Sequence, residues 1–469
     1  MRIYNSLSRK KETVRIPRKH PLRMFVCGPT VYDLSHLGHA RTFITFDSFV
    51  RFLRSRDINV TYLQNITDVD DKIIARAKEK DVAPKELARK FEASYLKDMS
   101  DLNVASVDVY ARASDFIPRI VEQATTLLQK GYAYEIPGDG YYFDISKFGE
   151  YGKLSGRTAL AAEDSVSRID ESVKKRHKGD FCLWKFSKPG EPVWKTSLGA
   201  GRPGWHIEDT AITETFFGPQ YEIHGGALDL KFPHHEAEIA QQEAASGKKP
   251  FVKIWMHAGS LEVKGAKMSK SLKNFTTIRD FLDGFSSREY GAEILRMFVL
   301  SSHYRSPLDF TPETSGNASR SYETLEEFLM KLSFVAEESK KKKSVPVSRG
   351  LKQRERKFFS SLEDDFNTPE ALAALYGIAS SYERNLWNMG REDASLLESR
   401  FRYLMESLGF KPGSYEAPPD RIRKKLEKRE LYRGNKQFTH ADALRREIHG
   451  LGYVIEDTPL GPFARKSRT

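Results

Sequence analysis

Leu22-Arg23-Met24-Phe25-Val26-Cys27, then Gly28-Pro29-Thr30, then His36-Leu37-Gly38-His39, is the stretch that decides the fold. The first six residues are mostly apolar and read as a short strand, which the Gly-Pro pair ends. From His36 to about Arg56 the pattern turns helical, with Phe43, Phe46, Val50 and Leu53 at three- and four-residue spacing. Residues 58–66 read as a second strand. Strand, crossover helix and strand predict a right-handed β-α-β unit in a parallel sheet. Ligands of such sheets sit beyond the carboxyl ends of the strands. That is where His36-Leu37-Gly38-His39 falls. A helix N-terminus there offers free backbone N–H groups and a positive dipole end to phosphate. Gly38 would let a nucleotide approach the backbone, and the two histidines would donate to phosphate oxygens as charge builds.

Working outward, helical patterns continue around 70–80, 84–103 and 114–130. Residues 131–200 read as an irregular, partly β insertion. Residues 204–260 return to α/β character, with a helix starting near Pro233. Residues 261–290 read as a basic loop and then helix, and the chain from about 317 reads as almost entirely helical, with a last small unit at 436–457. The 469 residues carry 76 Lys+Arg against 64 Asp+Glu, a net charge of +12, which favours a polyanionic partner. Two cysteines exclude a disulfide framework and an all-cysteine zinc site within one chain. No apolar run approaches the ~18 residues of a membrane span, and the first residues lack a secretory signal's apolar core. A cytoplasmic compartment is the expectation.

A second motif, Lys267-Met268-Ser269-Lys270-Ser271, lies more than two hundred residues after the first. A loop with two lysines and two hydroxyls suits a triphosphate gripped only during reaction. The two motifs in this order resemble those of a class I aminoacyl-tRNA synthetase. Further segments narrow the resemblance: Cys27 to Asp33, Asn65 to Lys72, Gly204-Trp205-His206-Ile207-Glu208, His224 to Leu230, and Phe232-Pro233-His234-His235-Glu236-Ala237-Glu238. With Asp364-Asp365-Phe366-Asn367-Thr368-Pro369 and the C-terminal segments, they make essentially the whole chain similar to the cysteinyl-tRNA synthetase family. The resemblance implies an α/β Rossmann-like class I catalytic domain with an insertion, followed by an all-α C-terminal tRNA-binding domain. The implied boundaries are 1–115 and 201–260 for the two catalytic halves, 116–200 for the insertion and 261–316 for the mobile loop and stem-contact region. Residues 317–469 would form a helical anticodon-binding domain with a small C-terminal unit.

Cysteine is hard to tell from serine by shape, since a hydrophobic pocket separates near-isosteres by only ~1–3 kcal/mol. A soft metal separates them, because Zn²⁺ binds thiolate far better than a neutral hydroxyl. His234 and Glu238 stand at i and i+4 on the expected helix and so share a face, while Cys27 ends the first strand and can point at it. The resemblance implies that these three bind zinc. The bacterial form of the family carries a second cysteine four residues after the tryptophan. Here that position is Asp209. Carboxylate oxygen is an acceptable zinc ligand at ~2.0–2.2 Å. Three readings stay open: zinc on Cys27, Asp209, His234 and Glu238; zinc on three of them with His206 or water filling in; no metal or another divalent ion. Cys182 matches no ligand and reads as a buried packing residue.

The resemblance further implies that His36 and His39, with Lys267 and Lys270, are catalytic, and that Gly38, Asp229 and Ser269 join them in binding ATP, with Mg²⁺. Asp229 would accept from the ribose hydroxyls, and Ala227 replaces a glycine often found near it. Thr67 and Trp205 would wall the cysteine pocket. The implied reaction attaches L-cysteine to tRNA(Cys) through a cysteinyl-adenylate, by a monomer. Trp387, Tyr432 and Phe438 are candidates for stacking on anticodon bases. The alternatives are a cysteine-activating ligase with a small amine acceptor and a tRNA-binding paralogue that does not charge.

Overall fold

The computed structural model describes residues 1–157, 174–268, 275–342 and 347–467. They fall into two units. The first holds Met1–Leu282, Ser302–Thr311 and Glu363–Asn367, and the second holds Asp283–Ser301, Pro312–Leu362 and Thr368–Thr469.

The first unit is organised by a five-stranded sheet, all parallel: β1 (Leu22–Val26), β2 (Val60–Ile66), β3 (Val109–Arg112), β4 (Tyr221–Ala227) and β5 (Val252–Ala258), in the order β5-β4-β1-β2-β3. A strand covered on both faces needs apolar residues on both. Accordingly Leu22, Met24, Phe25 and Val26 of β1 are all fully buried. Helix α1 (Leu37–Ser55) is the crossover from β1 to β2 and is buried nearly all round, so its phenylalanines Phe43, Phe46, Phe49 and Phe52 do not keep to one stripe. The strand order reverses between β1 and β4. The loops leaving those two strands therefore diverge and open a crevice.

The insertion is more regular than its sequence reads. Ala133–Ile136, Gly140–Phe143, Phe181–Phe186, Gly199–Pro203 and Trp194–Thr196 form one antiparallel five-stranded sheet in that order. Its strands are too short, and too bulged at Tyr141–Tyr142, to show a clean period of two. Cys182 packs there against Tyr134, Ile136 and Tyr142, the structural role expected of it. The stretch after β5, read as loop, begins with two short strands instead. Leu261–Val263 pairs antiparallel with Ala266–Lys267 and parallel with Leu308–Phe310. Lys264 and Gly265, both at positive φ, make the two-residue turn that twisted strands prefer.

The second unit is built mainly of helices. Pro312–Glu338 and Arg391–Glu406 supply its core, with Leu325, Leu329, Leu332, Leu397, Phe401 and Leu404 fully buried. The region from 317, read as almost entirely helical with a last small unit, closes with a pair of strands. After helix Phe438–Gly450 comes an antiparallel hairpin, Tyr453–Thr458 with Gly461–Lys466, and Phe463 of that hairpin packs edge-on against Phe334. Trp387 joins the same aromatic group, 6.2 Å from Phe334 and 6.3 Å from Phe463 between ring centres. It is half-buried. Phe438 is 60% exposed. No helix among the described residues is long and apolar enough to cross a membrane.

Candidate active site and metal centre

A cleft of about 530 Å³ lies beyond the carboxyl ends of β1, β2 and β4. Cys27, His36, Gly38, His39, Thr67, Trp205, Asp209, Asp229 and His234 all line it. Residues singled out from distant parts of the chain thus meet on one surface.

The His36–His39 pair is fixed by the helix it opens. The His36 Nδ1 accepts from the Gly38 N–H at 3.0 Å, and the His39 Nδ1 accepts from the His36 N–H at 3.2 Å. This is a reciprocal capping box made of imidazoles. A backbone N–H can only donate, so each Nδ1 is unprotonated and the proton of the neutral ring sits on Nε2. The rings stack at 3.9 Å. Burial first, and His36 second, hold the His39 imidazole well below its ordinary pKa, so it is a neutral donor at pH 7. Gly38 has a reason beyond nucleotide access. A Cβ there would stand 2.8 Å from the His36 ring, so glycine is what lets that ring fold back onto the helix end.

At the base of the cleft the expected donor set converges. Cys27 leaves β1. Asp209 sits in the first turn of α2 (Ile207–Phe217). His234 and Glu238 share a face of α3 (His234–Ser246). Cys27 Sγ is 3.4 Å from Asp209 Oδ2 and 3.9 Å from Glu238 Oε1. His234 Nε2 is 2.9 Å from the same Asp209 oxygen and 3.1 Å from Glu238 Oε1. All four are buried, and their ligand atoms lie within 4.8 Å of one another. Burial, then Asp209 and Glu208, push the Glu238 carboxyl well above the usual carboxylate range. Burial, then Glu238 and Asp209, push the Cys27 thiol up as well. Asp209 Oδ1 and Glu238 Oε2 have no hydrogen-bond partner among the described residues. Orphaned carboxylate oxygens beside a thiol and an imidazole suit a divalent cation of zinc's preferences. His206 does not join this set. Its Nδ1 meets the His234 Nδ1 at 2.8 Å, on the side of the ring away from Asp209 and Glu238, so it orients His234.

The remaining residues frame the cleft. Trp205 stacks on His234 at 4.4 Å, and the Lys72 ammonium lies 5.7 Å from its ring centre. The Thr67 hydroxyl donates to Glu208. Asp229 stands in a single 3-10 turn after β4. Lys267 ends the short hairpin and Met268 reaches the cleft wall. Ser269 and Lys270 lie outside the described residues, as does the side chain of Lys267.

Two residues missed in the sequence complete a second group around the same sulfur. His235 Nε2 lies 3.1 Å and His224 Nε2 3.3 Å from Cys27 Sγ. His235 follows His234 directly, and i,i+4 reasoning assigns it to another face. Cys27 Sγ nonetheless lies within 4.8 Å of a ring nitrogen of each. Gly226 makes room for this group: a Cβ there would meet the His235 ring at 2.8 Å.

Residues 13–320 match the family described as tRNA synthetases class I (C) catalytic domain, and residues 357–411 match the DALR domain. A cysteine–tRNA ligase of Thermococcus onnurineus is 42% identical over 99% of both chains, and one of Methanococcus maripaludis is 39% identical over 98% of both. Among solved structures, Mycobacterium tuberculosis methionyl-tRNA synthetase in complex with methionyl-adenylate superposes with a TM-score of 0.60 at 15% identity. It covers 83% of this chain and 89% of its own, a likeness of fold. The architecture is thus that of a class I synthetase catalytic domain followed by a helical DALR domain, and the chain belongs to the cysteine–tRNA ligase family.

Proposed function

We propose that the cleft activates L-cysteine with ATP and passes it to tRNA(Cys), the reaction named for the chain's relatives. The observation that carries this reading is the meeting of a thiol-reading donor set and a phosphate-type helix end in one cleft. The cysteine carboxylate attacks the α-phosphate of ATP in line, and pyrophosphate leaves. The terminal adenosine of the tRNA then attacks the adenylate carbonyl and releases AMP. No protein nucleophile is needed, and catalysis is positioning plus charge stabilisation. The His36 and His39 Nε2–H groups donate to phosphate oxygens, held in place by their backbone-bound Nδ1 atoms. Lys267, Ser269 and Lys270 grip the triphosphate, with Mg²⁺ as its counter-ion. Gly38 keeps the helix end open, and Asp229 accepts from the ribose. Thr67 and Trp205 wall the substrate side chain.

Cys27, Asp209, His234 and Glu238 would hold a zinc ion. Zinc bound there would supply a soft Lewis-acid position that prefers thiolate to hydroxyl. Asp209 in place of a thiolate leaves the set with one sulfur donor, so discrimination would rest more heavily on the substrate's own sulfur.

The second unit supplies the tRNA contacts. Arg421, Arg423, Lys424 and Lys428 are exposed on helix Asp420–Gly434, close in sequence to the exposed Phe438. The protein works as a monomer in the cytoplasm. The test is ATP–pyrophosphate exchange with cysteine and with serine, followed by tRNA charging, alongside elemental analysis. Exchange with cysteine alone, charging of tRNA(Cys) and one zinc per chain are expected. Exchange without charging would point to a small amine acceptor, and no exchange at all to a non-charging RNA binder.

A further inference from the structure

Glu363–Asn367 belongs to the first unit, although the helices before and after it belong to the second. Within it, Asp365 and Phe366 both adopt positive φ, 64° and 47°. Aspartate tolerates this conformation, but a bulky phenylalanine there is an outlier. Strain of this kind persists only where the surroundings hold it, and it concentrates where geometry matters.

The surroundings are specific. Asp365 is 1% exposed. Its Oδ1 accepts from the Tyr4 N–H at 2.8 Å and the Tyr304 hydroxyl at 2.9 Å, and its Oδ2 accepts from Arg305 Nε at 3.0 Å. His303 Nε2 stands 3.6 Å away. The Asp365 N–H donates to Arg2 O at 2.8 Å. Phe366 packs edge-on against Phe49 of α1 at 5.2 Å.

The residues that Asp365 grips lead to the cleft. The Tyr304 carbonyl accepts from the Gly259 N–H at 2.7 Å. The buried Arg41, on the first turns of α1, donates to the carbonyls of Ser260, Ser306 and Tyr304. A Cβ on Gly259 would stand 2.5 Å from Ser306 O, so this crossing is backbone on backbone. Gly259 and Ser260 line the cleft and continue into the hairpin that ends at Lys267. One turn, 303–306, thus supplies carbonyls both to the helix opened by His36 and His39 and to the strand end leading to Lys267.

We infer that Asp365 is a positioning residue for adenylate formation. It clamps the 303–306 turn and thereby sets the span between the His36–His39 helix end and the Lys267 hairpin, the two sides that close on the triphosphate. This inference rests on the proposed cysteine activation. It concerns the ATP side of the cleft and leaves the cysteine side alone.

Asp365→Asn tests it. Asparagine tolerates the same backbone and can still accept from Tyr4 and Tyr304, but it loses the charge that holds Arg305. ATP–pyrophosphate exchange is measured per active site, counted by burst titration, so that misfolded molecules drop out. Wild-type exchange with cysteine is the control, and its absence would sink the functional reading itself. With that control positive, the expected result is a tenfold or greater loss in kcat/KM for ATP, with cysteine KM unchanged within twofold. Tyr304→Phe, which removes a single hydroxyl, should show the same split at about threefold, and it stands in if the first variant does not fold. A change confined to melting temperature, or a loss shared equally by ATP and cysteine, would overturn the inference and leave Asp365 a purely structural residue.

Discussion

Asp365 and the Asp209–Glu238 pair are all buried carboxylates of the first unit, yet their oxygens are treated differently. Asp365 has both oxygens filled by groups of its own chain, among them a guanidinium. Among the described residues Asp209 and Glu238 each keep an oxygen without a hydrogen bond, that of Glu238 standing 3.5 Å from His224 Nδ1, and the groups around them are a thiol, imidazoles and further carboxylates. Burying carboxylate without compensation is costly. One site is therefore complete as folded, and the other is a donor set that could hold a cation. A glutamate of the second unit falls between them. Glu293 accepts from the Lys411 N–H at 3.1 Å with Arg296 nearby, and burial pushes its carboxyl up to about 7.

The most severe way to break the contrast is to remove a donor from the proposed cation site. His234→Ala should lower cysteine-dependent exchange by ~10³-fold, equivalent to about 4 kcal/mol. Zinc content by elemental analysis should fall well below one per chain. Retained zinc with full activity would place the metal elsewhere.

Stability should respond differently at the two sites. In metal-free protein, Asp365→Asn leaves the Arg305 guanidinium without its anion and should cost about 1–3 kcal/mol by urea denaturation. Glu238→Gln in the same metal-free state removes a carboxyl that burial, Asp209 and Glu208 push up, and should leave stability unchanged or raise it. Equal losses would erase the distinction.

Glu293 supplies the intermediate case and a pH test. Its folded pKa, about 7, lies above the ordinary 4.5, so between these values the folded state binds more proton than the unfolded. Its contribution is fully present below about pH 4.5 and is lost as pH rises through about 7. Glu293→Gln should therefore remove a decline on the order of 2–3 kcal/mol between pH 5 and pH 8. The readout is the pH dependence of the denaturation midpoint, compared with wild type.

Asp209→Cys should produce the smallest change. A second thiolate suits zinc, so chelator resistance should rise by about tenfold, roughly 1.4 kcal/mol, with exchange activity within a few-fold of wild type. Loss of metal in this variant would show that the reach of the carboxylate cannot be matched by sulfur.

Much of this was legible in the sequence because it was local. Strand, Gly-Pro, helix and strand from Leu22 to Ile66 gave the parallel sheet, and a ligand site beyond β1 follows from that topology. The spacing of His234 and Glu238 gave one face of α3. His224 and His235 were hidden because their convergence on Cys27 depends on β4 lying beside β1, with His224 in register with Phe25. The insertion sheet was hidden by strands of three to six residues. Asp365 was visible as part of a family motif, but nothing near it in sequence names Tyr4, Tyr304 or Arg305. Those contacts span 60 to 361 residues.

The clamp has a consequence for the order in which the protein is made. The central sheet is fully synthesised once β5 ends at Ala258, but Asp365 emerges about a hundred residues later. At ~5–20 residues per second, that is a wait of roughly 5–20 s. Throughout it, the Tyr4 N–H and the later-arriving Arg305 lack their acceptor, and Phe49 lacks its partner Phe366. A chain cut near residue 316 would carry both the His36–His39 and the Lys267–Ser271 motifs and still leave that seam open. The last residues to join the first unit are supplied from between two helices of the second, so on the ribosome the first unit is completed only after the early helices of the second have been synthesised.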